Sequence, residues 1–324
     1  METDKPQISI LMAVYEPRMD WLKLQLESLN RQTYPNIKLY IRDDCSPTVP
    51  HEEISKCVAE CIRAFPYELR RNEKNAGSNQ TFEWLTQEAE GEYFAYCDQD
   101  DIWLPEKLSA LQEEMEKSGA LLVCSDMYII DGDGKRTADS ITKVRRHHIF
   151  RSGEGLAKEL LVSNFVAGCT MMMNAQTAKD SMPFCPYMVH DQYLALCAAA
   201  KGKIVSLPDR LIQYRIHSNN QTLAMAGVHD RESYVKVRIQ QLVSRLAWLE
   251  ETFHAEGELR REIVLAREWA QARECLFRGE RGARRTVWKH RRFSPLTSLF
   301  EVVLSGAPDV LFMFVVNLKR KNIL

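Results

Sequence analysis

Residues 8–14 read Ile-Ser-Ile-Leu-Met-Ala-Val, an apolar run bounded by polar residues on both sides. A run of that length without alternation suits a strand covered on both faces, and such strands occur in parallel sheets flanked by helices. The pattern then repeats. Asp20 is placed to cap a helix carrying Leu22, Leu26 and Leu29 on one face. Leu39–Arg42 reads as a second strand, about 52–64 as a helix, Tyr67–Arg71 as a third strand and Thr81–Ala89 as a helix closed by Gly91. Tyr93–Cys97 is a fourth strand, Pro105 suits the first position of the next helix, and Leu121–Cys124 is strand again. Strands alternating with helices over some 125 residues imply βαβ units and a mostly parallel sheet, a Rossmann-like α/β architecture. In such sheets ligands gather at the carboxyl ends of the strands, where Tyr15, Asp44 and Asp98 all fall.

The pattern turns mixed after residue 125. Asp131–Gly134 reads as a hairpin turn, Cys169–Met173 as a strand, Asp191–Ala200 as a helix ended by Gly202, and Ile204–Leu207 and Leu211–Ile216 as two short strands. From about Glu232 the chain is helical and rich in arginine. The expected division is a catalytic domain over 1–230 and a helical, Arg-rich C-terminal appendage over 231–324.

Bulk properties exclude several classes. A formal net charge of −1 leaves no basic field for nucleic acid, which is not an expected partner. Nine cysteines, an odd number with no C-x-x-C pair, argue against a disulfide framework or zinc ribbon and for a reducing, cytoplasmic location. Met1–Pro6 is polar and lacks a signal-peptide core, so the Asn-x-Thr triplets at Asn79 and Asn220 are expected to stay unmodified. No stretch reaches the ~20 apolar residues that span a bilayer.

Asp98-Gln99-Asp100-Asp101 sets three carboxylates in four residues at a strand end. Like charges this close are costly unless a cation resolves them, and Mg²⁺ or Mn²⁺ commonly bridges carboxylates and substrate phosphates. A solvated acidic turn ahead of the following helix is the plainer alternative.

Taken in order, these segments resemble glycosyltransferase family 2, whose members have the GT-A fold, over roughly residues 6–225, and the first half is most similar to bacterial rhamnosyltransferase-like members that build surface polysaccharides. Ile8–Pro17 is similar to the family's opening strand and loop, which implies that Tyr15 packs near a donor base, with Glu16 standing where the family has Asn. Ile41–Ser46 is similar to the family's D-D-x-S, which implies that Asp44 hydrogen-bonds the nucleobase. Asn75-Ala-Gly77-Ser78 resembles the N-x-G segment near ribose and diphosphate, with Thr81 before Phe82 as a departure. Asp98-Gln-Asp100-Asp101-Ile-Trp103 looks like the D-x-D metal motif, which implies Asp98 and Asp100 as ligands of Mn²⁺ or Mg²⁺. His190-Asp191 is similar to the family's general-base segment, which implies Asp191 as the base. Gln213–Asn220 resembles a loop that closes over the diphosphate, with Arg215 toward phosphate and His217 as metal ligand or phosphate donor. Gly168 resembles the loop facing donor and acceptor.

The resemblance implies an inverting transfer of a hexose from a UDP- or dTDP-linked donor to a saccharide or lipid-linked saccharide acceptor. Rhamnose is the first candidate; glucose, galactose and N-acetylhexosamine stay open. The competing expectation is a non-catalytic nucleotide-sugar-binding member of the same fold. A nucleotidyltransferase is disfavoured because residues 13–20 hold no glycine and only Arg18 as a base. Residues 281–292 carry six Lys/Arg with Trp288 among them, followed by apolar segments near 296–300 and 311–316. That mix suits an anionic membrane surface, which would put the protein at the inner face of the cell membrane. The plainer alternative is a helical appendage whose Arg face is solvated and whose apolar face packs on the catalytic domain or on a second subunit.

Overall fold

The computed structural model describes residues 5–145, 148–217, 225 and 227–320. The chain forms two compact units. The first comprises residues 1–156, 165–184 and 189–217; the second comprises 157–164, 185–188 and 218–324. The division therefore falls just after His217, and two short upstream segments thread into the second unit.

The first unit is built on one nine-stranded sheet: β1 (Ile8–Val14), β2 (Ile37–Asp43), β3 (Tyr67–Arg71), β4 (Tyr93–Cys97), β5 (Ile102–Trp103), β6 (Leu122–Ile130), β7 (Arg136–Ala138), β8 (Met171–Asn174) and β9 (Ile204–Arg215). The strand order is β3-β2-β1-β4-β8-β6-β9-β5, with β7 paired to β6. β1 runs parallel to β2 and β4, and β2 parallel to β3, as alternating strands and helices require. β8 breaks the pattern by lying antiparallel to both β4 and β6. The result is a mixed sheet flanked by helices.

Helices α1 (Met19–Asn30), α2 (His51–Cys61), α3 (Ser78–Glu88) and α4 (Lys107–Ser118) connect the early strands. Three short helices follow, α5 (Ile141–Val144), α6 (Ala157–Leu160), which belongs to the second unit, and α7 (Ala175–Lys179), then the buried α8 (His190–Lys201). Ile8, Ile10, Met12 and Val14 of β1 pack with Leu22, Leu26 and Leu29 of α1 in the main core.

Two helix starts differ from the sequence reading. Arg18, not Asp20, precedes α1; Asp20 sits in its first turn and pairs with Arg18 at 2.6 Å. Pro105 lies in the turn before α4 because Ile102–Trp103 is held extended against β9, and the Leu104 N–H donates to the Leu211 carbonyl at 3.0 Å. The two strands expected over 204–216 are one, β9. It stays continuous across Pro208 because its register on β6 shifts there, Leu207 facing Ser125 and Arg210 facing Asp126. A bulge accommodates a residue that has no N–H to give the ladder.

The second unit is helical: α9 (Arg231–Tyr234), running through a π-helical stretch into α10 (Gln241–Thr252), then α11 (Gly257–Phe277), α12 (Ala283–Lys289), α13 (Pro295–Leu304) and α14 (Asp309–Arg320). Val228, Tyr234, Ile239, Phe300, Phe312 and Val316 form its centre. Within it Arg273 donates two 2.7 Å hydrogen bonds to the fully buried Glu301, which also accepts from the Tyr234 hydroxyl at 2.7 Å. All nine cysteines are free. No helix among the described residues is long and apolar enough to cross a membrane.

Candidate active site

The register of the parallel strands brings the polar clusters to one edge. Val14 faces Asp43 and Met12 faces Cys97, so the chain leaves β1, β2 and β4 at neighbouring points with Tyr15, Asp44 and Asp98 next in line. The loops are then tied together. Gln99, between two of the acids, accepts from the Tyr15 N–H at 2.8 Å and donates to the Tyr15 carbonyl at 3.0 Å. The Tyr15 ring stays 44% exposed, open to stack on a flat partner. Glu16 reaches across to accept from the Thr48 N–H at 2.8 Å and from the Thr48 hydroxyl, fixing the loop after β2.

Asp44 is buried. Its carboxylate accepts from Asn72 Nδ2 at 2.7 Å and from the N–H groups of Ala76 and Gly77 at 2.8 Å each. It therefore shapes the segment holding Asn75 and Gly77. Gly77 has φ +83° and ψ 157°, a region essentially confined to glycine, and from it α3 starts. A side chain at 77 would strain the turn even though a Cβ there meets open space.

Past β4, Asp98, Asp101 and Cys169 each bring a ligand atom within 4.8 Å of the others. Asp98 is half-buried and Asp101 fully buried. Burial, then the Asp100 charge, pushes both carboxyls above the usual carboxylate range; Asp191 adds to the effect on Asp98. Asp101 Oδ1 accepts the Arg215 backbone N–H at 2.9 Å, while Oδ2 finds no oxygen or nitrogen donor among the described residues. Asp100 Oδ2 lies 2.7 Å from His217 Nε2. Burial holds the Cys169 thiol well above its ordinary pKa. The clustered oxygen donors of Asp98 and Asp101 suit a hard divalent ion such as Mn²⁺ or Mg²⁺, and Asp100 is paired with His217 on the same loop.

Arg215 also has a role within the fold. Its guanidinium is buried and donates to backbone carbonyls: Asp100 at 2.8 Å, Asp131 at 2.9 Å and Gly132 at 3.3 Å. Those bonds brace the acidic loop against the β6–β7 turn. Ser218, Asn219 and Asn220, the end of the same motif, lie outside the described residues.

Asp191 sits in the first turn of α8, where the helix dipole suits a carboxylate. Oδ2 accepts from the Gly168 N–H at 3.0 Å and Oδ1 from the Gln192 N–H at 2.5 Å. Gly168 is required for close approach: a Cβ there would stand 2.8 Å from His190 Nε2 and 3.4 Å from Asp191 Cβ.

Several residues the sequence reading passed over complete the arrangement. Lys107 is fully buried, with its ammonium 2.5 Å from the Cys169 carbonyl and 3.1 Å from the centre of the Trp103 ring. Burial lowers its pKa to about 7, while Cys169, Cys97, Asp101 and Asp98 pull the other way. Its signal in the sequence is a lysine in the i, i+4, i+8 stripe with Leu111 and Met115, which faces the core. Trp21 donates to the Gly132 carbonyl at 3.1 Å and lies under both Arg215 and His217. His190 stacks on Phe82 with ring centres 4.0 Å apart.

The family model for glycosyl transferase family 2 matches residues 9–178. An uncharacterized glycosyltransferase of Nostoc sp. is 25% identical over 243 residues, 72% of each chain. The putative teichuronic acid biosynthesis glycosyltransferase TuaG of Bacillus subtilis is 24% identical over 181 residues, 55% of this chain and 67% of that one. Among solved structures, S. aureus TarS 1-349 in complex with UDP-GlcNAc superposes with a TM-score of 0.58 at 16% identity, over 92% of this chain and 81% of that chain. The mannosyltransferase PcManGT from Pyrobaculum calidifontis, in complex with GDP-Man and Mn²⁺, gives 0.57 at 11% identity, over 99% and 82%.

Proposed function

The chain belongs to glycosyltransferase family 2, and on that premise we propose that it transfers a hexose, with inversion, from a nucleotide-diphosphate donor to an acceptor hydroxyl in surface-polysaccharide synthesis. The observation that carries this reading is the convergence of Asp191 with the acidic loop: its charge acts on Asp98, and Gly168, which holds its carboxylate, is followed directly by Cys169 against Asp98 and Asp101.

In this reading the Tyr15 ring and Asp44 hold the donor base, and Asn75 and Gly77 line the way to the diphosphate. A divalent ion on Asp98 and Asp100, with His217 beside them, would neutralise the departing diphosphate. Asp191 Oδ takes the acceptor proton as the hydroxyl attacks the anomeric carbon in line. Arg215 keeps the acidic loop in shape. The donor is UDP- or dTDP-linked; rhamnose, suggested by the likeness of the first half to rhamnosyltransferase-like members, is the first sugar to try. The acceptor is a saccharide or lipid-linked saccharide.

Thermal stabilisation by UDP, dTDP and GDP, each with and without Mn²⁺, tests the donor half. A ligand at about 100 times its Kd adds roughly 2.7 kcal/mol when it binds only the folded state. A metal-dependent shift with one nucleotide is expected, lost in Asp100→Asn. Asp191→Asn should keep that shift and lose transfer; near wild-type turnover in this variant would remove Asp191 as the base. Stabilisation without transfer to any acceptor would instead favour a non-catalytic binding member.

A further inference from the structure

Residues 281–324 hold nine lysines and arginines against two acidic side chains, Glu301 and Asp309, in a chain whose net charge is −1. Both acids are already engaged. Glu301 is buried against Arg273 and Tyr234, and Asp309 lies 2.6 Å from Arg231. Arg281, Arg284 and Arg285 are exposed around the start of α12 and form no ion pair among the described residues. Trp288, one turn on, is 44% exposed, with the Arg291 guanidinium over its ring.

The two helices that follow have apolar side chains on both faces. The inner faces, Phe300 on α13 and Phe312 and Val316 on α14, close the core of this unit. The outer faces are apolar as well. Leu296, Leu299 and Val303 recur at i, i+3 and i+7 along α13 and are 49–63% exposed. Val310 and Phe314, four residues apart on α14, are 84% and 59% exposed. A helix needs one apolar stripe to fold onto its neighbours; a second stripe facing water has no use inside the unit and marks a contact surface.

We propose that α12, α13 and α14 form a docking surface for a lipid bilayer bearing anionic headgroups. The chemistry is two-part. Free guanidinium groups and an exposed indole suit the headgroup layer, and rows of Leu, Val and Phe suit the acyl boundary beneath it. Nucleic acid would use the cations but leaves aliphatic rows without a partner. This inference does not depend on the sugar-transfer reading, and its test needs no turnover.

The full chain is sedimented with vesicles of phosphatidylcholine alone and of phosphatidylcholine with phosphatidylglycerol. Binding to the anionic vesicles alone is expected, weakening as salt rises. Arg281→Gln/Arg284→Gln/Arg285→Gln should lower the partition coefficient, at about fivefold for each cation removed. Leu296→Ser/Val303→Ser/Phe314→Ser should lower it at every salt concentration. Both triple variants change exposed side chains, and an unchanged melting temperature verifies their fold. Three results overturn the proposal: no sedimentation of the parent protein with anionic vesicles, equal binding by the arginine variant, or a self-association abolished by the apolar variant with no vesicle binding. The last would make these faces an interface between copies. Retention of RNA in place of vesicles would likewise overturn it.

Discussion

The Lys107 ammonium donates to the Cys169 carbonyl at 2.5 Å, and the preceding residue, Gly168, supplies the N–H that holds Asp191. A lysine without solvent exposure thus fixes the turn on which the candidate base rests, while its charge offsets Asp98 and Asp101. Removing one partner of a buried charged cluster costs about 3–5 kcal/mol, since the remaining charges stay buried. Lys107→Met should lower stability by an amount in that range in urea melts. Asp98 and Asp101 would then lack its charge, so Mn²⁺ should stabilise the variant more than it stabilises the parent. Equal Mn²⁺ shifts in the two proteins would show that Lys107 does not offset the cluster.

Gly168→Ala places a methyl 2.8 Å from His190 Nε2, so His190, Asp191 or the turn must move. Displacing a reacting group by about 1 Å can cost on the order of 100-fold in rate. We expect kcat to fall by about that factor while the affinity for nucleotide, which we place at Tyr15 and Asp44, stays within about twofold. Steady-state kinetics beside nucleotide titration separates the two.

His190 supplies a pH dependence. The residue is half-buried as a whole, yet Nε2 is sealed from solvent without a hydrogen-bond partner among the described residues. Burial lowers its pKa to about 3, against 6.5 for the free side chain. Between those values the unfolded chain takes a proton that the folded chain refuses, so stability falls as pH drops below 6.5 and levels off below 3. His190→Phe keeps the stack on Phe82 and removes the titrating group. Its stability should fall less steeply than the parent's between pH 6 and 4, at up to about 1.4 kcal/mol per pH unit. Parallel curves for the two proteins would contradict the sealed, neutral ring.

In the helical unit, Arg273→Met strands Glu301 and should cost about 3–5 kcal/mol, whereas Arg273→Met with Glu301→Leu should recover a good part of the loss. Guanidinium melts of single and double variants measure the difference.

The parallel half of the sheet was legible because β1 and β4 announce themselves as apolar runs, and Tyr67–Arg71 was read to the residue despite its charges. Reading failed where pairing decides conformation. Ile102–Trp103 is too short to carry a pattern and is extended only because β9 lies beside it. Pro208 looked like a break because the bulge that absorbs it belongs to the pairing with β6, not to the local sequence. The polar clusters at strand ends followed from topology, so Tyr15, Asp44 and Asp98 were placeable. The bracing of Arg215 was not, since its acceptors, the carbonyls of Asp131 and Gly132, come from a turn more than eighty residues away. Lys107 was hidden by its type: in a helical stripe a lysine reads as surface, and only its spacing with Leu111 and Met115 betrays the core.

The three-residue turn Gly168–Thr170 has a consequence for how sequences of this lineage can change. It answers to Lys107 and Asp101 on one side and to His190 and Asp191 on the other. Neither side can be retuned alone, because a shift that improves one displaces the other through a single peptide. Descendants of this chain should therefore inherit residues 107, 168 and 190–191 as a block, and single exchanges among them should be rarer than paired ones.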